Sequence, residues 1–313
     1  MNLKSISLTI SLCFTIGASL FGQEVKLPLE MKFGHLCSEW KLHDSIQAKV
    51  FLETGFPKIV INQKFAQNKL SDLKSEKASK DAAIALWGQQ NKIKILSLIK
   101  DTLKVNGNNV MFDALVADFS TIKSWKNYDI IYPLRDLSGA VEINLSDSYM
   151  IVDKNLKTLS PEYIKFEAKT DDKTKGLYIN TSLKVYDSLN TNEELKGNFL
   201  LDLGAPNAIF VNRNLPEVER FVSKSDRLLL KDTTKFRPNP RTKLAIIMPD
   251  KFQIGNIYLT KNFVVAMKMF KSNKSSKYVG MIGNKFFANF NMIFDFKNSE
   301  IYMKPTSENV TIE

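Results

Sequence analysis

Two short segments of this sequence place an acid at the end of an apolar run and a glycine two residues later: Phe51-Leu52-Glu53-Thr54-Gly55-Phe56-Pro57 and Leu200-Leu201-Asp202-Leu203-Gly204-Ala205-Pro206. An acid that leaves a strand into a tight turn has a fixed direction, and the missing glycine Cβ lets backbone or substrate approach closely. Two carboxylates held about 3 Å apart cannot both ionise, so a facing pair of such turns would share one proton. One acid could then activate water while the other protonates or polarises a carbonyl. An isolated acid-x-Gly usually means only a turn acid satisfied by nearby N–H groups. The recurrence argues for more.

Other constellations fail on inventory. His35, Cys37 and His43 lie close together but lack four-coordinate spacing, and the segment reads as an early strand, so neither a metal nor a cofactor is expected. No Gly-x-Ser-x-Gly occurs, and the chain has only 2 histidines to serve a serine nucleophile. Asp295 lies on an apolar closing strand, where a structural role is expected. Cys37 reads as a small buried hydrophobe with no partner for a disulfide.

The elements that must position the two acids recur as well. Glu53 and Asp202 are 149 residues apart (202 − 53 = 149), and the same spacing lays Val110–Ala117 on Leu259–Ala266 and the turn Asn106-Gly107 on Gly255-Asn256. Further on, with one residue inserted, Ile130-Ile131-Tyr132-Pro133 meets Gly280-Met281-Ile282-Gly283, and Ile143–Val152 meets Ile293–Tyr302. Collinear self-similarity at one long period marks a duplicated unit. Each copy reads strand, acidic turn, strand, variable segment, hairpin, apolar turn, final strand. Short β-branched and aromatic runs such as Lys49–Leu52, Lys58–Ile61, Leu103–Val105, Phe199–Leu201, Ala208–Val211 and Phe263–Met267 predict a mainly β chain. Helices are expected only over Ser71–Ala85 and Pro216–Leu230.

With these pieces assembled, Leu200 to Asn207 resembles the catalytic Asp-Thr/Ser-Gly loop of aspartic peptidases. Tyr278-Val279-Gly280-Met281-Ile282-Gly283-Asn284-Lys285-Phe286-Phe287 resembles the family's second signature, in which apolar residues and a glycine cross behind that loop, and Phe290 to Phe296 resembles its closing strand. Phe51 to Pro57, Asp129 to Leu134 and Val141 to Val152 supply the same pieces in the first half. The resemblance covers nearly the whole chain after the leader. It implies a two-lobed pepsin- or retropepsin-like β-barrel fold with an internal pseudo-twofold repeat and a few short helices. It implies Asp202 and Glu53 as the catalytic pair, supported by Thr54, Gly55, Leu203 and Gly204, with Met281, Ile282 and Gly283 as the second signature. The chain departs from the pattern in places. Glu53 replaces an aspartate and carries its carboxylate about 1.5 Å further from the backbone. Leu203 replaces the Thr or Ser whose hydroxyl braces the opposite loop, leaving that brace to Thr54. Pro133 stands in place of a signature glycine, and Trp87-Gly88 is the sole candidate for a flap. Expected activity is therefore that of an aspartic-type endopeptidase made weak or lost by Glu53 and Leu203; the alternative is a non-catalytic cleft that binds an extended peptide or an envelope partner.

The ends and the composition bound the rest. Residues 1–23 carry one charge, Lys4, then an apolar run from Ile6 to Phe21, which reads as a secretory signal rather than a transmembrane span. Leu12 before Cys13 argues against lipidation. The expected product is exported, periplasmic or extracellular, with lobes at 24–155 and 156–313 meeting in a polar stretch before Pro161. The formal charge of +11 comes from dispersed lysines without regular interleaved aromatics, so it reads as solvated surface and nucleic acid is not expected as a partner. The expected partner is a peptide or protein in the cleft between lobes of a monomer.

Overall fold

The structure, a computed structural model, describes residues 24–313 apart from 33, 57, 86–91, 123–124, 138, 172–175, 190–191, 232–243, 261 and 269–276. The expected leader, Pro57 and Trp87-Gly88 thus lie outside the described residues. The chain is mainly β, its described residues forming sheets of nine, ten and six strands with a few short helices.

In the nine-stranded sheet, Ile46–Glu53 pairs antiparallel with His35–Leu42 on one side and parallel with Ile130–Pro133 on the other. The latter pairs antiparallel with Ile59–Asn62, which lies parallel to Asn108–Ala117. The ten-stranded sheet repeats this order. Asn192–Leu201 pairs with Leu177–Tyr186 and, in parallel, with Tyr278–Ile282; that strand pairs antiparallel with Ile209–Asn212, which runs parallel to Val264–Met267. Parallel strands require a long crossover, and in each half the acidic turn and its flanking strand supply part of it. Strands buried on both faces read as continuous apolar runs, which is why Val50-Phe51-Leu52 does not alternate. Val50 and Leu52 face the main core; Phe51 faces a second cluster with Val60, Ile131 and Trp125.

The pairing corrects the expected alignment twice. Val60 pairs with Ile131 and Phe210 with Met281, so one extra residue enters in the loop between Asp202 and Ile209. The hairpins keep the expected spacing, with Val110 matching Leu259 about the turns Asn106-Gly107 and Gly255-Asn256, whereas Ala114–Ala117 corresponds to Val264–Met267. A second residue is gained before the closing hairpins. Asn144 Oδ1 accepts the Asp147 N–H at 2.9 Å and Asp295 Oδ1 accepts the Asn298 N–H at 3.1 Å, each ahead of a serine with φ 56° (Ser148, Ser299), so Asn144 matches Asp295. Both acceptors are buried turn formers, as expected for Asp295.

The six-stranded sheet runs Val25–Pro28, Tyr149–Val152, Val141–Asn144, Phe290–Asp295, Glu300–Pro305, Ile164–Glu167. It joins the halves through Val141↔Phe294, Glu142↔Ile293 and Ile143↔Met292, a register symmetric about the Glu142–Ile293 pair. The expected strands form with slightly shifted ends. Pro216–Lys224 is helical, with Pro at its start and Val218, Phe221 and Val222 buried, followed by a short 3-10 turn at Asp226–Leu228. Ser71–Ala85 is not helical: it forms the strands Ser75–Lys77 and Ala83–Ala85, both paired with the long strand Lys92–Val105. The segment has no apolar stripe to bury, so the open edge of that strand decides its backbone hydrogen bonds. No helix among the described residues is long and apolar enough to cross a membrane.

Candidate active site

Glu53 and Asp202 each stand where an apolar strand leaves its parallel partner. Glu53 is in register with Pro133, and the Asp202 N–H donates to the Ile282 carbonyl at 2.9 Å. The two carboxyl groups meet over the paired glycines, close enough for each to act on the other's ionisation. A Cβ on Gly55 would lie 3.5 Å from both Asp202 Cγ and Glu53 Oε1, and one on Gly204 would overlap Glu53 Oε1 and lie 3.0 Å from Asp202 Oδ1. Only glycine leaves room for both acids at Gly204. The Glu53 side chain carries its carboxyl, one methylene further from its backbone than an aspartate's, beside that of Asp202. It folds back over its own turn, Oε2 accepting the N–H groups of Gly55 at 2.5 Å and Phe56 at 2.6 Å, while Oε1 turns toward Gly204. Asp202 Oδ1 accepts the Gly204 N–H at 2.8 Å.

One hydroxyl ties the loops together. Thr54 Oγ1 donates to the Leu201 carbonyl at 2.8 Å and accepts the Leu203 N–H at 3.0 Å. The Leu203 side chain, fully buried in the main core, returns nothing. The brace thus runs in one direction only, as the sequence suggested.

Behind the loops, Tyr278–Ile282 passes beside the Asp202 strand with Met281 opposite Leu200 and Ile282 opposite Leu201, and the Gly283 N–H donates to the Ala208 carbonyl at 2.8 Å. A Cβ on Gly283 would come 2.6 Å from the Ala205 carbonyl oxygen. In the first half Pro133 has no N–H to give, and Tyr132 fills the space with its ring against Trp40 and Phe112 at 4.7 and 6.0 Å. Two supports were not anticipated, though both directly follow the second-signature strands. Asn284 Nδ2 donates to the Leu203 carbonyl and, at 2.7 Å, to the Gly34 carbonyl. Arg135 Nη2 donates to the Phe56 carbonyl.

Burial sets the electrostatics. Glu53 is 5% exposed, and burial, then the Asp202 charge and the shared hydrogen bond, push its carboxyl well above the usual carboxylate range, against the two backbone N–H groups that favour its ionised form. Asp202 is also raised by burial, but Glu53 and the Gly204 and Ala205 N–H groups pull it back. Both carboxyls are raised and the pair titrates as a unit that shares a proton.

His35 is buried against Phe51 with ring centroids 4.5 Å apart, its ionisation depressed by burial, and the buried Cys37 Sγ donates to the Tyr128 hydroxyl at 3.2 Å. Among the described residues no group of three or more His, Cys, Asp or Glu is placed to hold a metal ion.

No protein-family model matches the sequence, and no curated protein does. Among solved structures the chain resembles the aspartic proteinase from Irpex lacteus with a TM-score of 0.57 and 11% identity, over 91% of this chain and 98% of that one. The fold of this chain is the two-lobed β fold of a pepsin-like aspartic proteinase.

Proposed function

We propose that this chain is an exported aspartic-type endopeptidase in which the Glu53/Asp202 pair hydrolyses a peptide bond with water. The observation that carries this reading is the meeting of two carboxyl groups, the buried Glu53 and the half-buried Asp202, contributed by the two halves over Gly204 and braced by Thr54. With one proton shared by the pair, Asp202 takes a proton from a water; the resulting hydroxide adds to the carbonyl carbon as Glu53 gives its proton to the carbonyl oxygen. Collapse of the diol breaks the C–N bond. The Asp202 proton goes to the leaving nitrogen and Glu53 recovers its own from a hydroxyl, so the pair ends as it began. The Gly55 and Phe56 N–H groups hold Glu53 during the exchange. With the brace one-sided, turnover is weak relative to a pair held from both loops.

The proposal includes a leader at 1–23, lobes at 24–155 and 156–313 descended from one duplicated unit, a periplasmic or extracellular location, and a monomer taking an extended peptide between its lobes. Leu203 favours a second reading, a cleft that holds such a peptide without cutting it. Incubation of the leaderless protein with an unfolded protein substrate between pH 3 and 7 separates the two. Cleavage abolished by Asp202→Asn supports the peptidase; binding without cleavage, in wild type and in a Glu53→Asp/Leu203→Thr variant alike, supports the second reading.

A further inference from the structure

The peptide group that joins Leu203 to Gly204 is held at both of its polar ends. Its N–H donates to Asp202 Oδ1 at 2.8 Å, and its carbonyl accepts from Asn284 Nδ2. Because a peptide is planar, whatever fixes the carbonyl also sets the direction of the N–H. A hydrogen bond accepted by the carbonyl further polarises that N–H toward its own acceptor. Asn284 opens the short helix Asn284–Phe287; it is 1% exposed, and its backbone N–H donates to the Ala205 carbonyl at 2.8 Å. Its side-chain amide admits one orientation. Nδ2 serves two carbonyls while Oδ1 is buried without a donor, so a turned amide would set an oxygen against both. The second of those carbonyls belongs to the other half. Gly34 lies in the turn between Glu30–Lys32 and His35–Leu42 with φ 78°, and a Cβ on it would lie 3.4 Å from Pro206 Cβ. That turn rests on the far end of the Asp202 loop, where Asn284 binds its carbonyl at 2.7 Å. Thr54 already holds the Leu203 N–H from the first half at 3.0 Å. The peptide groups on either side of Leu203 are therefore both linked to the first half, although its side chain brings no hydroxyl across.

We propose that Asn284 is a positioning residue for the hydrolysis described above: by holding the Leu203 and Gly34 carbonyls together it aims the Gly204 N–H at Asp202 and ties the Asp202 loop to the first half. The purpose rests on the peptidase reading, whereas the hydrogen bonds do not. A donor on Asp202 favours its ionised form, which is the form that accepts the proton of water. The strap also crosses in the direction that Leu203 leaves open, from the second half to the first.

The test compares the whole leaderless protein as wild type, Asn284→Leu and Phe286→Leu by nuclear magnetic resonance and by cleavage of an unfolded protein substrate. Leucine keeps the size of Asn284 and removes both hydrogen bonds. Phe286→Leu loosens the same buried helix without touching either carbonyl, and so controls for destabilisation alone. In Asn284→Leu the Gly204 amide proton should shift and exchange about tenfold faster, and the Asp202 carboxyl should titrate at a higher pH. The kcat should fall about tenfold with KM changed far less, since the loss is one of geometry at the reacting groups. Phe286→Leu should leave the Gly204 and Asp202 signals in place. A folded Asn284→Leu protein with those signals unmoved overturns the proposal, and so does a Phe286→Leu protein that moves them equally. Should Asn284→Leu not fold, the wild-type side-chain amide decides: couplings through the hydrogen bonds from its nitrogen to the Leu203 and Gly34 carbonyl carbons are expected, and their absence overturns the proposal. Signals that move as expected in a protein that cleaves nothing uphold the strap and sink the peptidase reading instead.

Discussion

Thr54 serves two buried backbone groups at once, and both belong to the opposite loop. Thr54→Val keeps the shape and removes the hydroxyl, leaving the Leu201 carbonyl and Leu203 N–H unpaired. A loss of about 1–3 kcal/mol in denaturant unfolding is expected, with a larger fall in kcat than in substrate affinity. Adding the missing partner works in the other sense: Glu53→Asp with Leu203→Thr should raise acid-range cleavage, each tenfold gain corresponding to about 1.4 kcal/mol at the transition state. Glu53 also bears on stability. Its folded-state pKa lies above the ordinary 4.5, so the folded chain binds more protons than the unfolded one across the interval above that value. This contribution is fully present below the ordinary value and fades as pH rises through the folded one. Melting temperatures from pH 4 to 8 should therefore fall less steeply for Glu53→Gln than for wild type. The acids, their glycines and Thr54 were legible because spacing alone locates them. Arg135 was not, since an arginine after an apolar strand reads as surface until the register with Glu53 brings its turn beneath the loop.

At the scale of elements, the like order of strands around the two acidic turns was legible and its fine alignment was not. Acid, glycine and apolar strand ends pin the two loops, but the residue gained after Pro206 leaves no mark in hydrophobic pattern. The pairing of Val60 with Ile131 and of Phe210 with Met281 shows where it enters. Ser71–Ala85 misled for a related reason: its lysines and serines are compatible with an exposed helix, and the partner that draws it into strands lies in Lys92–Val105. The two second signatures differ in what they tolerate. A Cβ at Gly280 would overlap the Phe210 carbonyl oxygen and crowd the Phe199 ring at 3.1 Å. Gly280→Ala should accordingly cost about 1–3 kcal/mol by chemical denaturation. It should disturb Asp202 ahead of Glu53, which a shift confined to the Asp202 carboxyl resonance would register.

For the whole molecule, the decisive element is the six-stranded sheet. Val141–Asn144 and Phe290–Asp295 meet at its middle, and Val141, Ile143, Met292 and Phe294 are wholly buried there. Residues 24–155 produced alone would bare one of these strands as an open apolar edge. They should associate, eluting as dimers or larger species in size-exclusion chromatography; a well-behaved monomer would mean that the lobe is closed without its neighbour. The sequence marked these as matching closing strands, while their pairing and its central Glu142–Ile293 register needed the structure. The one-way Thr54 brace then bears on whether the halves are exchangeable. A dimer of two first halves would hold two threonine ties and two glutamates, and a dimer of two second halves would hold two aspartates and no tie at all. Neither reproduces the native site, so the two halves are complementary parts that only a single chain, or a mixed pair, can supply together.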